Sequence, residues 1–159
     1  MNVVYFLLGS NLNYPLEQLD TARTAIAAQI GSISHSSSIY RTAAWGLQEQ
    51  PDFFNQVIQV ESELSPETCM QKALNIEEQM GRKRKEKYGP RTIDIDLLLY
   101  NNLQLNTTEL VIPHPEICHR RFTLVPLCEI DPGLLHPVNG CSMKELLMNC
   151  EDHLPVDKI

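Results

Sequence analysis

The alternation of apolar and polar positions divides the chain into strands and helices before any chemistry is considered. Val3 to Leu8 is an unbroken apolar run closed by Gly9-Ser10-Asn11, the pattern of a strand buried on both faces and ended by a turn. Pro15 suits the first turn of a helix, and Leu16, Leu19, Ala22, Ile26 and Ile30 recur at helical spacing up to Gly31, a residue placed to cap it. Ile33 to Tyr40 is serine-rich but ends in a β-branched and aromatic pair, so a strand is expected there. Arg41 to Asp52, with Trp45, Gly46 and Pro51, follows neither period and reads as a long loop of a kind that is often functional. From Phe53 to Glu63 the period is two, which puts Phe53, Asn55 and Val57 on one face and Phe54, Ile58 and Val60 on the other. An aromatic ring and an amide then share a face.

Ser65-Pro66 opens a second helix in the cap-then-proline order, with Cys69, Ala73, Ile76 and Met80 as its apolar stripe, Glu77 beside the stripe and Gly81 at its end. Between Ile93 and Tyr100 the alternation is sharpest: Ile93, Ile95, Leu97 and Leu99 point one way, and Asp94, Asp96, Leu98 and Tyr100 the other. Asn101-Asn102 reads as a turn back into Leu103-Gln104-Leu105. Beyond it, Pro113, Pro115, Pro126, Pro132 and Pro137 leave room only for short helices, one of them begun by the capping-box pair Ser142 and Glu145. The order strand, helix, strand, strand, helix, strand predicts an α+β fold, a ferredoxin-like βαββαβ core with helices packed on a mainly antiparallel sheet. Residues 1–159 are expected to form a single domain.

Composition narrows the setting. At 159 residues and 43% hydrophobic the chain can bury one core without staples. Its apolar start is too short to span a bilayer and lacks the flanks of a signal peptide. Five cysteines, odd in number and without a Cys-x-x-Cys pair, indicate neither a disulfide framework nor a zinc ribbon, and a reducing cytoplasm is the expected home. The net charge of -7 argues against a general nucleic-acid or anionic-membrane binder. Against that background Arg82, Lys83, Arg84, Lys85 and Lys87 crowd together and Arg91 comes shortly after. Alone, such a cluster is more often a solvated loop.

A pair of aspartates just downstream changes the meaning of the cluster. Asp94 and Asp96 on one strand face have Cα atoms about 6.6–6.8 Å apart, close enough to share divalent cations. Magnesium commonly takes one or two protein carboxylates while a nucleotide supplies the remaining oxygens. Arginines upstream can fork onto phosphate oxygens and offset charge that develops in transfer. A surface pair of aspartates on a wet strand remains the plainer alternative. No Gly-x-x-x-x-Gly-Lys loop, Gly-x-Gly-x-x-Gly fingerprint or protein-kinase signature is present. His114 and His119 stand near helical spacing, but no Glu or Cys completes a zinc set. A base-stacking module is a further alternative, which the acidic charge opposes.

The string Lys87-Tyr88-Gly89-Pro90-Arg91-Thr92-Ile93-Asp94-Ile95-Asp96-Leu97-Leu98 resembles the signature of the hydroxymethyl-dihydropterin pyrophosphokinase family. Gly9-Ser10-Asn11, Tyr40-Arg41-Thr42, Gln50-Pro51-Asp52-Phe53-Phe54-Asn55, Gly81-Arg82-x-Arg84, Pro113-His114 and Arg120-x-Phe122 agree with it in order, over nearly the whole chain. The resemblance implies attack by a pterin hydroxyl on the β-phosphorus of ATP with release of AMP, in folate synthesis. It implies that Asp94 and Asp96 hold two magnesium ions and that Arg82 and Arg91 act on the transferring phosphates. Glu77, Arg84, Tyr88, Arg91, Leu97, Val111, His114 and Arg120 would contact ATP. Phe53 and Phe122 would sandwich the pterin ring, Asn55 would read its edge, and Thr42, Ala43 and Trp45 would line the same pocket. The implied partners are the two small-molecule substrates, with no nucleic acid, no membrane and a monomeric state. Three positions depart from the family pattern: Tyr88 where an indole is common, Trp45 in place of a smaller aliphatic residue, and Glu109 where some members carry arginine.

Overall fold

The apolar run at the start of the chain becomes β1 (Asn2–Ser10), the strand at the heart of the computed structural model, which describes residues 1–43, 49–81 and 92–159. After it come α1 (Pro15–Gln29), β2 (Ser32–Ser36), β3 (Tyr40–Thr42), β4 (Phe53–Ser62), α2 (Pro66–Gln79) and β5 (Asp94–Tyr100). The C-terminal part adds β6 (Leu105–Asn106), β7 (Val111–Ile112), a 3-10 turn at Ile117–His119, α3 (Arg121–Ile130), α4 (Met143–Met148) and β8 (Val156–Lys158). Pairing runs β5-β1-β4-β3-β8, with β2 also on β4, and each of these pairs is antiparallel. The expected βαββαβ order is present.

Its second strand arrives in two pieces, where one strand over Ile33 to Tyr40 was expected. β2 pairs with the C-terminal half of β4 and β3 with its N-terminal half. Ser37 fills the break: its backbone N–H donates to the Val57 carbonyl at 2.9 Å, and its hydroxyl accepts from the Val57 N–H at 3.0 Å. A serine side chain thus replaces one rung of the ladder, which accounts for the serine at this position of the serine-rich run.

Two layers of helix cover the sheet. On one face Val4, Phe6, Leu8, Ile58 and Val60 pack against Leu19, Ala22 and Ile26 of α1 and Cys69, Ala73 and Ile76 of α2. On the other face Tyr5, Leu7 and Val57 meet Leu124 and Leu127 of α3 and Met143 of α4. Leu16, expected in the α1 stripe, is 45% exposed because it lies at the helix start, outside the arc that meets the sheet. Ser65 caps α2 through the Thr68 N–H, and Ser142 with Glu145 forms the expected capping box on α4.

Two further expectations are corrected. The alternation along β5 holds only to Leu97: Tyr5 opposes Leu99 and Phe6 opposes Leu97, so Leu98 is an extra residue in a bulge. Leu98 and Leu99 therefore both join the α3–α4 core, and Tyr100 turns into the α1–α2 core. The turn at Asn101 forms, with φ of 49°, but Leu105 pairs with Ile112 of β7 instead of returning along β5. The two glycines expected as caps also differ. Gly81 takes the left-handed φ of 85°, whereas Gly31 is required by space, since a Cβ there would stand 2.1 Å from the Glu61 carbonyl oxygen.

Candidate functional site

Strand register builds the site. β1 sets Gly9 opposite Asn55 of β4 on one side and opposite Asp94 of β5 on the other, and Leu7 likewise between Val57 and Asp96. Directly opposed residues project from the same face. Asn55 and Asp94 thus stand two strand spacings apart, roughly 10 Å, across a glycine with no side chain. On this face the helices cover Leu7 and Val57 but stop short of that row, and a cavity opens there.

The cavity is lined by Leu7, Gly9, Thr42, Ala43, Phe53, Asn55, Asp94, Asp96, Arg120 and Phe122. Eight of these ten were expected from the sequence, and their convergence from β3, β4, β5 and the start of α3 is a product of the fold. Leu7 and Gly9 were missed as site residues. Gly9 read as the end of a strand, and nothing in the sequence states which residues flank it across the sheet.

Hydrogen bonds fix the polar part of the floor. The Asn55 side-chain N–H donates to Thr42 Oγ1 at 2.9 Å, and both residues are buried. That bond orients the amide, whose Oδ1 lies above Gly9. Asn11 donates to Gln50 Oε1 at 2.8 Å and to the Pro51 carbonyl at 3.1 Å, tying the end of β1 to the segment that enters β4. Ser10 donates its hydroxyl to the Thr92 carbonyl, which anchors the approach to β5.

The cationic wall comes from the start of α3. Arg120 occupies the N-cap position, with its guanidinium carbon 5.6 Å from the Phe122 ring centroid and its Nε 3.8 Å from the Glu116 carboxylate. His114 lies in the same electrostatic neighbourhood. Its backbone N–H donates to the Leu98 carbonyl, and its Nδ1 accepts from the Glu116 N–H at 3.1 Å, which puts the proton of the neutral ring on Nε2.

Burial, followed by the charge of Arg120, lowers the His114 pKa from 6.5 to about 4, against the opposing pull of Asp94 and Glu116. Between those two values the unfolded chain binds a proton that the folded chain does not. Stability contributed by the neutral ring is therefore complete above the ordinary histidine range and is lost as pH falls through the window. Thermal melts across it are expected to show a shallower acid loss in His114→Asn than in the parent. His136, also held low by burial, keeps part of the slope in both.

The remaining expected nucleotide residues are distributed differently. Val111, 37% exposed, and His114 line a second groove with Leu105, Pro113, Cys118 and His136. Glu77 is buried at 3% exposure in the interface of α2 and β5, where its carboxylate accepts from the Ile95 N–H at 2.7 Å. Leu97 is 2% exposed and belongs to the α1–α2 core, so only its main chain can meet a ligand. Trp45, Arg82, Arg84, Tyr88 and Arg91 lie outside the described residues, as do the other members of the basic cluster. Among the described residues no three His, Cys, Asp or Glu side chains gather to hold a metal ion. Nor is any described helix long and apolar enough to cross a membrane.

An α+β sheet with an aromatic and amide pocket at one end of a carboxylate pair defines a class of small-substrate enzyme. Residues 5–132 match the family described as 7,8-dihydro-6-hydroxymethylpterin-pyrophosphokinase, and the chain belongs to that family. A relative from Haemophilus influenzae, named 2-amino-4-hydroxy-6-hydroxymethyldihydropteridine pyrophosphokinase, is 40% identical over 154 residues, which is 96% of this chain and 96% of the relative. A protein of the same name from a Synechocystis species is 40% identical over 152 residues, covering 94% of this chain and 77% of its own. The crystal structure of wild-type HPPK-DHPS from Plasmodium falciparum superposes with a TM-score of 0.75 at 17% identity. It supports the fold alone. The superposition covers 93% of this chain, which spans 43% of that longer one.

Proposed function

We propose that this chain transfers the diphosphate of ATP to the hydroxyl of 6-hydroxymethyl-7,8-dihydropterin, releasing AMP, as a step of folate synthesis. The observation that carries the proposal is the shared cavity in which Phe53, Asn55 and Phe122 stand beside Asp94, Asp96 and Arg120. A flat heteroaromatic ring needs aromatic faces and a few polar groups to fix its orientation. Phe53 and Phe122 supply the faces, Thr42 and Ala43 border the ring, and the Asn55 amide reads one edge. With that edge at Asn55, the hydroxymethyl arm extends over Gly9 toward Asp94.

Two carboxylates side by side on a rigid strand, with no third protein ligand among the described residues, fit magnesium that arrives on a polyphosphate. Asp94 and Asp96 would hold two such ions, which would offset phosphate charge and bring the hydroxyl within reach of the β-phosphorus. Arg120 adds a fixed positive charge beside them, and its ion pair with Glu116 keeps it at the cavity edge. Arg82 and Arg91 are assigned to the transferring phosphates. Glu77, Arg84, Tyr88, the Leu97 main chain, Val111 and His114 are assigned to the nucleotide. A neutral His114 donates from Nε2 without adding charge. Little covalent work falls to the protein, so rate comes from alignment and electrostatics. The working unit is proposed to be one domain acting as a monomer.

Incubation with Mg-ATP and the hydroxymethyl pterin, with separation of the nucleotides afterwards, tests the proposal. AMP formed only with pterin and magnesium both present is expected. ADP in its place would indicate ordinary phosphoryl transfer and overturn the assignment of the attacked phosphorus.

A further inference from the structure

We infer that Glu129 is a positioning residue for the cavity, joining the helix that carries Phe122 to the strand that carries Thr42, and so setting the affinity for pterin; the inference rests on the cavity being the pterin site. Glu129 lies two turns along α3 from Phe122. Its carboxylate accepts from Tyr40 Oη at 2.6 Å, from Ser38 Oγ at 2.8 Å and from the Ser38 N–H at 2.9 and 3.1 Å. All are hydrogen bonds to a charged acceptor, the stronger kind. Tyr40 opposes Asn55 across the sheet and Thr42 opposes Phe53, so whatever holds β3 also holds the partners of both cavity-facing residues of β4.

β3 has only three residues and needs outside support. One source is β8, which pairs along its outer edge and continues with the Ile159 N–H donating to the Ile39 carbonyl at 3.1 Å. The other is Glu129, which bonds the residues at and just before the strand start. Burial first, then the hydrogen bond to Glu129 and its charge, raise the Tyr40 pKa, so the phenol stays protonated as a donor. Burial pushes the Glu129 carboxyl up, but the bonds from Tyr40 and Ser38 and the charge of Lys158 outweigh it and hold the group below its ordinary range. The pair therefore stands as phenol and carboxylate at neutral pH.

A residue that only stabilised the fold would leave the balance between the two substrates unchanged when removed. Glu129 instead links two walls of the pterin end, while Asp94 and Asp96 sit on β5, beyond β1. Arg120, at the N-cap of the same helix, has its own tether in Glu116, so the loss of Glu129 is expected to act on pterin rather than on Mg-ATP.

Titration of pterin into Tyr40→Phe, Glu129→Ala and Glu129→Gln, in the presence of a non-hydrolysable ATP analogue and magnesium, tests the inference alongside KM for each substrate. Tyr40→Phe removes a single oxygen and guards against a variant that fails to fold. Glu129→Ala is expected to weaken pterin about ten-fold, the scale of one hydrogen bond to a charged group, with KM for Mg-ATP unchanged. Tyr40→Phe should show a smaller loss in the same direction, and Glu129→Gln, which keeps an acceptor, should recover part of it. The double variant should lose less than the sum of the singles, because both act through one contact. Unchanged pterin affinity in folded variants, or equal weakening of both substrates, would overturn the inference. Failure of the parent protein to bind pterin would instead overturn the reading of the cavity, and the inference with it.

Discussion

Replacing Asp96 with alanine is expected to lower kcat by about 10³-fold or more, with the same result for Asp94→Ala, because under the proposed function each removes a hard oxygen ligand, and no third His, Cys, Asp or Glu gathers beside them among the described residues. The rigidity of β5 is the reason. Asp94 and Asp96 oppose Gly9 and Leu7 of β1, and the intervening Ile95 N–H is held from the other side by the buried Glu77 carboxylate at 2.7 Å. A strand fixed on both edges cannot shift to bring another carboxylate forward. Asp96→Asn keeps the shape and loses the charge, so it separates metal binding from packing: a loss close to that of alanine is expected. Steady-state AMP release across a magnesium titration makes the measurement. Parental turnover in either alanine variant would sink the metal assignment.

The parts of this molecule that were legible in the sequence share a physical origin. Val3 to Leu8, the alternation at Phe53 to Val57 and the caps at Ser65 and Ser142 are local patterns, each decided within a few residues. So is the placing of Asp94 and Asp96 on one strand face. What could not be read is decided between distant segments. The Leu98 bulge exists only in relation to Tyr5 and Phe6, and the break at Ser37 only in relation to Val57. The need for glycine at Gly31 comes from the Glu61 carbonyl of another strand, whereas the local pattern suggested a helix cap. In the site, the alternation put Phe53 and Asn55 on one face and the family resemblance implied Thr42 and Phe122, but the two residues that form the floor, Leu7 and Gly9, carry no chemistry of their own. Glu129 was missed for the same reason, since its role depends on contacts with Ser38 and Tyr40 far back in the chain.

The floor supplies the second large effect: Gly9→Ala is expected to weaken pterin binding by about a hundred-fold and to lower the melting temperature by about the few degrees that one buried hydrogen bond is worth, while leaving KM for Mg-ATP nearly unchanged. A Cβ at Gly9 would stand 2.8 Å from Asn55 Oδ1 and 3.9 Å from the Phe53 ring. The first distance is shorter than real Cβ contacts allow, so the amide must move. Such movement would cost little for a loose side chain, but the Asn55 N–H is bonded to Thr42 Oγ1 at 2.9 Å, and both residues are buried. Swinging the oxygen away therefore breaks a buried hydrogen bond and turns the amide that is proposed to read the ring edge. The added methyl also enters the cavity between Asn55 and Asp94, where the proposed function lays the hydroxymethyl arm. The fold loses that one bond but survives, because the methyl enters the cavity and not the core, unlike a Cβ at Gly31, which would meet backbone at 2.1 Å. Calorimetric titration of pterin into the variant decides the matter. Affinity close to that of the parent would mean that Asn55 moves freely and does not set the edge contact, and the assignment of Asn55 as the reader of the pterin would have to be withdrawn.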